Sequence, residues 1–143
     1  MQIDFQTLKP EHSRIAAHLR QPDIDEIISI NALSPALAVA YSIANSERGA
    51  AVFLDGELSA VFGVAHGIIW LVGTDEISKH PVAFFRVSRK IFHNLCKDYS
   101  KLENWVDARN ILSLRWLKWL GFNISPPFTV GNSLCHHVCW EAG

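Results

Sequence analysis

The chain lacks any apolar run near the roughly 20 residues that span a bilayer, so no membrane span is expected. Excess charge of one sign is also missing: 13 Lys+Arg stand against 14 Asp+Glu, a net charge of -1. A nucleic-acid or membrane-surface binder would show a basic excess, so neither partner is expected. Cysteine is scarce and odd in number, with only 3 in 143 residues, which fits a reducing compartment better than a disulfide framework. The N-terminus, MQIDFQTLKPEHSR, lacks the charged-then-apolar layout of a signal peptide, and a cytoplasmic protein is expected. No solenoid repeat, low-complexity tract or linker divides the chain, which reads as one domain over residues 1–143. What is present is a 49% hydrophobic share, enough to build a sizeable core and to exclude intrinsic disorder.

The hydrophobic period changes along the chain. Residues 2–6 alternate as a short strand does, and Pro10 then opens a helical turn followed by Ile15, Ala16 and Leu19. Asp23 with Glu26 gives a second helix start, and Ser34-Pro35 a third, running to about Asn45. Ala50 to Leu54, the turn pair Asp55-Gly56 and Leu58 to Val64 make a hairpin. After His66-Gly67, the run from Ile68 to Val72 is apolar at every position, as in a buried central strand. Ser78 is a candidate cap for a long amphipathic helix over Pro81 to Tyr99, with Phe85, Phe92, Leu95 and Cys96 inward and Arg86, Arg89, Lys90 and Lys97 outward. A strand from Trp105 to Ala108, a helix from Asn110 to Leu120 stopped by Gly121, a Pro126-Pro127 loop and a strand from Leu134 to Trp140 complete the order. This is a mixed α/β domain.

Two stretches carry a resemblance. The hairpin Val52 to Leu58 with Phe62-Gly63-Val64, and Asn110 through Trp116-Leu117-Lys118-Trp119-Leu120-Gly121-Phe122, resemble the GNAT superfamily of acyl-CoA N-acyltransferases. A connected series sharpens it: Leu19-Arg20, Asp23, Glu26, Trp70 to Asp75, His80, Phe85 to Arg89, Asn104 to Asn110 and Arg115 to Lys118. Over residues 15–122 it is similar to a GNAT-like family of tailed phages and prophages, one member of which, in short-tailed phages, is counted among internal virion or morphogenesis proteins. The resemblance implies a single GNAT-like α/β domain with a mixed, mostly antiparallel sheet. It also implies a role in virion assembly or structure, a phage or host protein as partner, and the host cytoplasm or the virion as location. The alternative it leaves is an acetyl-CoA-dependent N-acetyltransferase acting on an unidentified amine.

For such an enzyme the resemblance implies acetyl-CoA as the cofactor, held by the strand Trp70, Leu71 and Val72, by Ser78 and Lys79 at the following helix, and by Asn110. The family's Gln/Arg-x-x-Gly-x-Gly/Ala loop is missing: Gly73 to Pro81 offers Asp75 and Glu76 where pyrophosphate needs bare amides, and like charges repel. The proton-donating tyrosine expected seven residues after Asn110 is Leu117, which cannot donate. His66, Glu57, Asp75 and His80 could each serve as a base, and spacing assigns none of them a catalytic role. Asn110 also reads as a plain helix cap, and His80 as a solvated first-turn histidine.

Cys135, His137 and Cys139 share a strand face, yet tetrahedral zinc needs four ligands and no second pair at suitable spacing exists, so no metal is expected. Of the five tryptophans, Trp70, Trp105 and Trp140 fall on expected strands and read as core. Trp116 and Trp119 join Leu112 and Leu120 in one apolar helical stripe.

Overall fold

The computed structural model describes residues 1–31 and 33–143. One eight-stranded sheet runs through the molecule, built from β1 (Ile3–Thr7), β2 (Arg48–Leu54), β3 (Glu57–Ala65), β4 (Ile68–Gly73), β5 (Lys101–Asp107), β6 (Asn123–Ile124), β7 (Phe128–Val130) and β8 (Ser133–Glu141). The strand order is β1-β2-β3-β4-β5-β8-β6, with β7 also paired to β8, and every pair is antiparallel except β4–β5. The expected mixed, mostly antiparallel α/β domain is therefore present.

A 3₁₀ helix (Pro10–His18), α1 (Gln21–Asn31) and α2 (Pro35–Asn45) cover one face of the sheet, packing Ile15, Ile27, Val39 and Ile43 on Ala51, Val61 and Val72. The other face carries α4 (Pro81–Leu95) and α5 (Ile111–Trp119), whose Phe84, Ile91, Phe92, Trp116 and Leu117 meet Val52, Phe62 and Leu71. Alternation along β2 and β3 explains this: successive side chains point to opposite faces, so Ala51 and Val52 enter different cores.

The local signals act as the sequence implies at several points. Asp55 and Gly56 take φ of 49° and 81°, the left-handed pair of a two-residue hairpin turn. The Ser34 side chain accepts from Leu37 N at 3.3 Å and caps α2. Gly121 at φ 100° ends α5 and lets Phe122 N donate back to Leu117 O at 3.0 Å.

Other expectations are corrected. Ser78 caps nothing: it sits inside a short helix, α3 (Asp75–Lys79), whose cap is Thr74, with Thr74 Oγ1 accepting from Glu76 N at 3.3 Å. The long helix starts at Pro81, which has no N–H to satisfy, behind a His80 that makes no side-chain cap. Asp23 lies inside the first turn of α1, and its side chain is used elsewhere. Trp116 is 1% exposed and Trp119 44%, so the stripe on α5 splits between core and surface. Trp70, Trp105 and Trp140 are only half-buried. Among the described residues no single helix is long and apolar enough to cross a membrane.

Candidate functional site: the gap between β4 and β5

The two halves of the sheet barely touch. β4 and β5 share one registered pair, Ile68 with Glu103, beside which Glu103 N donates to Gly67 O at 3.0 Å. The Asn104 side chain then bridges the gap, its Nδ2 donating to Ile69 O at 2.6 Å. Beyond that point the strands diverge, as two parallel strands must when no further ladder bonds tie them.

Antiparallel alternation sets which backbone groups face the gap. Thr74 N donates to Ser59 O at 2.9 Å, so Trp70 and Val72 bond to β3 while Ile69, Leu71 and Gly73 turn their N–H and C=O groups toward β5. Ile69 O is taken by Asn104. At the wide end, Gly73 O accepts from Arg20 N at 2.9 Å and Gly73 N donates to Asp23 Oδ2 at 2.9 Å. On the facing strand, Asp107 N donates to Glu26 Oε1 at 2.6 Å. Leu71, between these ties, faces the gap with both of its backbone groups.

The wide end is thus closed by side chains from before and within α1. Asp23 and Glu26 lie three residues apart and project from neighbouring positions of the helix. Arg20 Nη2 donates to Asp23 Oδ1 at 2.9 Å and to Asn110 Oδ1 at 2.9 Å, and Arg20 Nε to Asp23 Oδ2 at 3.2 Å. Asn110 Nδ2 in turn donates to Asp23 Oδ1 at 2.9 Å and to Glu26 Oε2 at 3.2 Å. Arg20, Asp23 and Asn110 are all buried, so the pairing is what makes their burial tolerable. Burial drives the Glu26 carboxyl up to about 7, with the nearby Asp23 adding to the rise and the Asp107 amide opposing it. Just outside, Arg109 grips Asp107 through two bonds of 3.0 and 2.8 Å and holds that carboxyl below its usual range.

Behind this closure lies a cavity of about 480 Å³ that passes through the gap from the α1–α2 side to α5. Its walls include Glu26, Ile27, Leu71, Trp105, Trp116 and Leu117. Trp116 Nε1 is buried there with no hydrogen-bond partner. The cavity wall is mainly apolar but carries several polar side chains, among them Glu26, Ser42, Asn45, His66 and Asn104, a mixture that suits a small-molecule site.

Of the expected cofactor residues, Trp70, Leu71 and Val72 line this cavity, and Asn110 closes its wide end while also capping α5 through Ser113 N at 3.4 Å. Ser78 and Lys79 are not brought to it. Both are exposed on α3, where Lys79 Nζ pairs with Glu76 at 3.2 Å. Gly73 does not open the loop to a ligand: a Cβ there would lie 2.3 Å from Ile77 Cδ1, so its missing side chain makes room for α3. Among the candidate bases only His66 lines the cavity; it sits in a turn at φ 53°, its amide donating to Glu47 Oε1 at 2.8 Å. Leu117 lines the cavity as an apolar wall.

In the sequence, Asp23 and Glu26 read as a helix-start signal and, with Arg20, as part of a resemblance; in the structure all three meet at the wide end of the gap. His137 Nε2 pairs with Glu103 at 3.0 Å, and among the described residues no group of three or more His, Cys, Asp or Glu could hold a metal ion.

No protein-family model matches the chain, and no curated protein matches it in sequence. Solved structures do match in fold. AAC(6')-Ib in complex with ribostamycin and coenzyme A is similar at TM-score 0.67 and 11% identity, over 99% of this chain and 94% of that one. The spermidine N-acetyltransferase SpeG chimera from Vibrio cholerae and hSSAT is similar at TM-score 0.64 and 10% identity, over 99% and 96%. An acetyltransferase of the GNAT family from Streptococcus pneumoniae is similar at TM-score 0.53 and 10% identity, over 99% and 100%. The chain therefore has the fold of the GNAT acetyltransferases.

Proposed function

We propose that this chain is an acetyltransferase-fold scaffold in which acyl transfer is lost or reduced, and that it serves in the assembly or structure of a tailed-phage virion. The observation that carries the first half is the occupation of the wide end of the gap by Asp23, Glu26 and Arg20. The second half rests on the resemblance of the residue series from Leu19 to Lys118 alone, and a phage structural or host protein is the partner that resemblance implies.

The fit of acetyl-CoA to these residues is divided. The open Leu71 backbone edge and the 480 Å³ cavity suit an extended, amide-bearing arm. The wide end does not suit it: the Gly73 and Asp107 amides already donate to Asp23 and Glu26, and Asp75 and Glu76 stand in the turn where a pyrophosphate would be bound. A cofactor bound at the wide end would have to displace this hydrogen-bonded network.

A second reading, an acetyl-CoA-dependent N-acetyltransferase of an unidentified amine, is supported by the end-to-end likeness to acetyltransferases and by Glu26. A carboxyl near 7 on the cavity wall has the proton affinity suited to a general base at neutral pH.

Isothermal calorimetry with acetyl-CoA separates the two. The scaffold reading expects no heat up to millimolar ligand, and binding in the micromolar range would overturn it. The second reading expects micromolar binding together with acetyl-CoA-dependent thiol release in the presence of spermidine or an aminoglycoside.

A further inference from the structure

The outer face of α4 carries a second feature that the gap does not explain. Between Glu76 and Asp98 the sequence holds no carboxylate, while Arg86, Arg89, Lys90, His93 and Lys97 are all exposed there. Among the described residues none of these five makes an ion pair. Of the acids that flank this stretch, Asp98 is engaged by Arg48, and Glu141 stands in register with Lys101 where β5 and β8 meet at their ends.

This cationic rim borders an open groove of about 1050 Å³ whose floor is aromatic. Trp119 is 44% exposed, its ring lying under the Arg89 guanidinium at 5.5 Å and against Phe85 at 6.2 Å. Trp140 meets Phe92 edge-on at 5.7 Å on the same floor. A half-exposed indole under an arginine, ringed by unpaired cations, has the composition of a protein-interface anchor.

From these observations we infer that the α4 groove is a docking site for an acidic segment of a partner protein that carries one apolar anchor residue. Complementarity of charge sets the sign of the partner, and Trp119 sets the need for the anchor. The dimensions set its length. Arg86 to Lys97 spans eleven steps, roughly 16 Å at about 1.5 Å per helical residue, which an extended segment covers in about five residues. A nucleic acid is the weaker occupant, since this length admits only a few phosphates and the chain as a whole carries a net charge of -1. The inference is independent of the gap between β4 and β5: it holds whether or not acetyl-CoA binds.

The test is fluorescence anisotropy on the whole chain with a fluorescein-labelled peptide of aspartate and glutamate around a single central phenylalanine. Two controls are the same peptide with lysine for every acid and a labelled oligothymidylate. The acidic peptide should bind, weaken as salt rises, and be lost in the double variant Arg89→Glu with Lys90→Glu. Trp119→Ala should weaken it roughly thirtyfold, the scale of an interface hot spot. Both charge changes lie on exposed side chains, so they test the site even if Trp119→Ala proves unstable. The inference is overturned if the acidic peptide fails to bind, if the charge-reversed variant binds it equally well, or if the oligothymidylate binds as tightly and is lost in the same variant.

Discussion

Replacing Glu26 by glutamine should remove a pH-dependent weakness from the fold. Inside the protein this carboxyl rises from 4.5 to about 7, mainly because burial disfavours its charge. Between those values the folded chain holds a proton that the unfolded chain has released. Stability therefore falls as pH rises through the window, and the loss is complete above the folded value. A span of about two and a half pH units at ~1.36 kcal/mol each amounts to roughly 3 kcal/mol. His12 contributes the opposite slope, because burial lowers its pKa and the unfolded chain then binds the extra proton as pH drops below about 6.5. The useful quantity is thus the difference between the wild-type chain and Glu26→Gln, measured by urea unfolding with tryptophan fluorescence from pH 4 to 8. The wild type should lose about 3 kcal/mol relative to the variant across that range. A difference that stays constant with pH would refute the assignment of a protonated, half-buried carboxyl to this position.

Two further predictions concern the same region. Arg20→Met leaves Asp23 buried without its cation and should cost about 3–5 kcal/mol in urea unfolding; adding Asp23→Leu should recover part of that loss, and strict additivity of the two costs would count against the network. Gly73→Ala forces a methyl group onto Ile77 Cδ1 and should cost about 1–3 kcal/mol as overpacking, with Ile77→Val in the same chain relieving some of it in thermal unfolding.

Local chemistry made much of the fold legible. Asp55-Gly56, Ser34-Pro35 and Gly121 each demand one backbone conformation, and each takes it. The acid-rich turn after Gly73 was harder, because Thr74 and Ser78 are both competent caps and the choice depends on Ile77 packing into the space above Gly73. The division of α5 between buried Trp116 and exposed Trp119 depends on Phe62 and Phe84, which hold the first ring at 5.3 and 6.3 Å, and helical spacing cannot show that. The two-residue strand at Asn123 and the three-residue strand at Phe128 exist only because β8 offers an edge to both. The site itself was least legible. Asn110 reads as a helix cap and is one, but its second duty joins it to Arg20 and Asp23, 90 and 87 residues away. The resemblance named Asn110 and the strand Trp70 to Val72, which lie at one cavity and its closure, while the contacts that join Asn110 to Arg20, Asp23 and Glu26 arise only in three dimensions.

The seam between β4 and β5 changes what the sheet asks of evolution. A backbone ladder is indifferent to side-chain identity, so most sheet junctions drift freely in sequence as long as the apolar pattern holds. Here the junction is held chiefly by Asn104 at one end and by Arg20, Asp23, Glu26 and Asn110 at the other. The continuity of the sheet has become, beyond one short stretch of ladder, a property of five particular residues and of the hydrogen bonds their side chains and backbone supply.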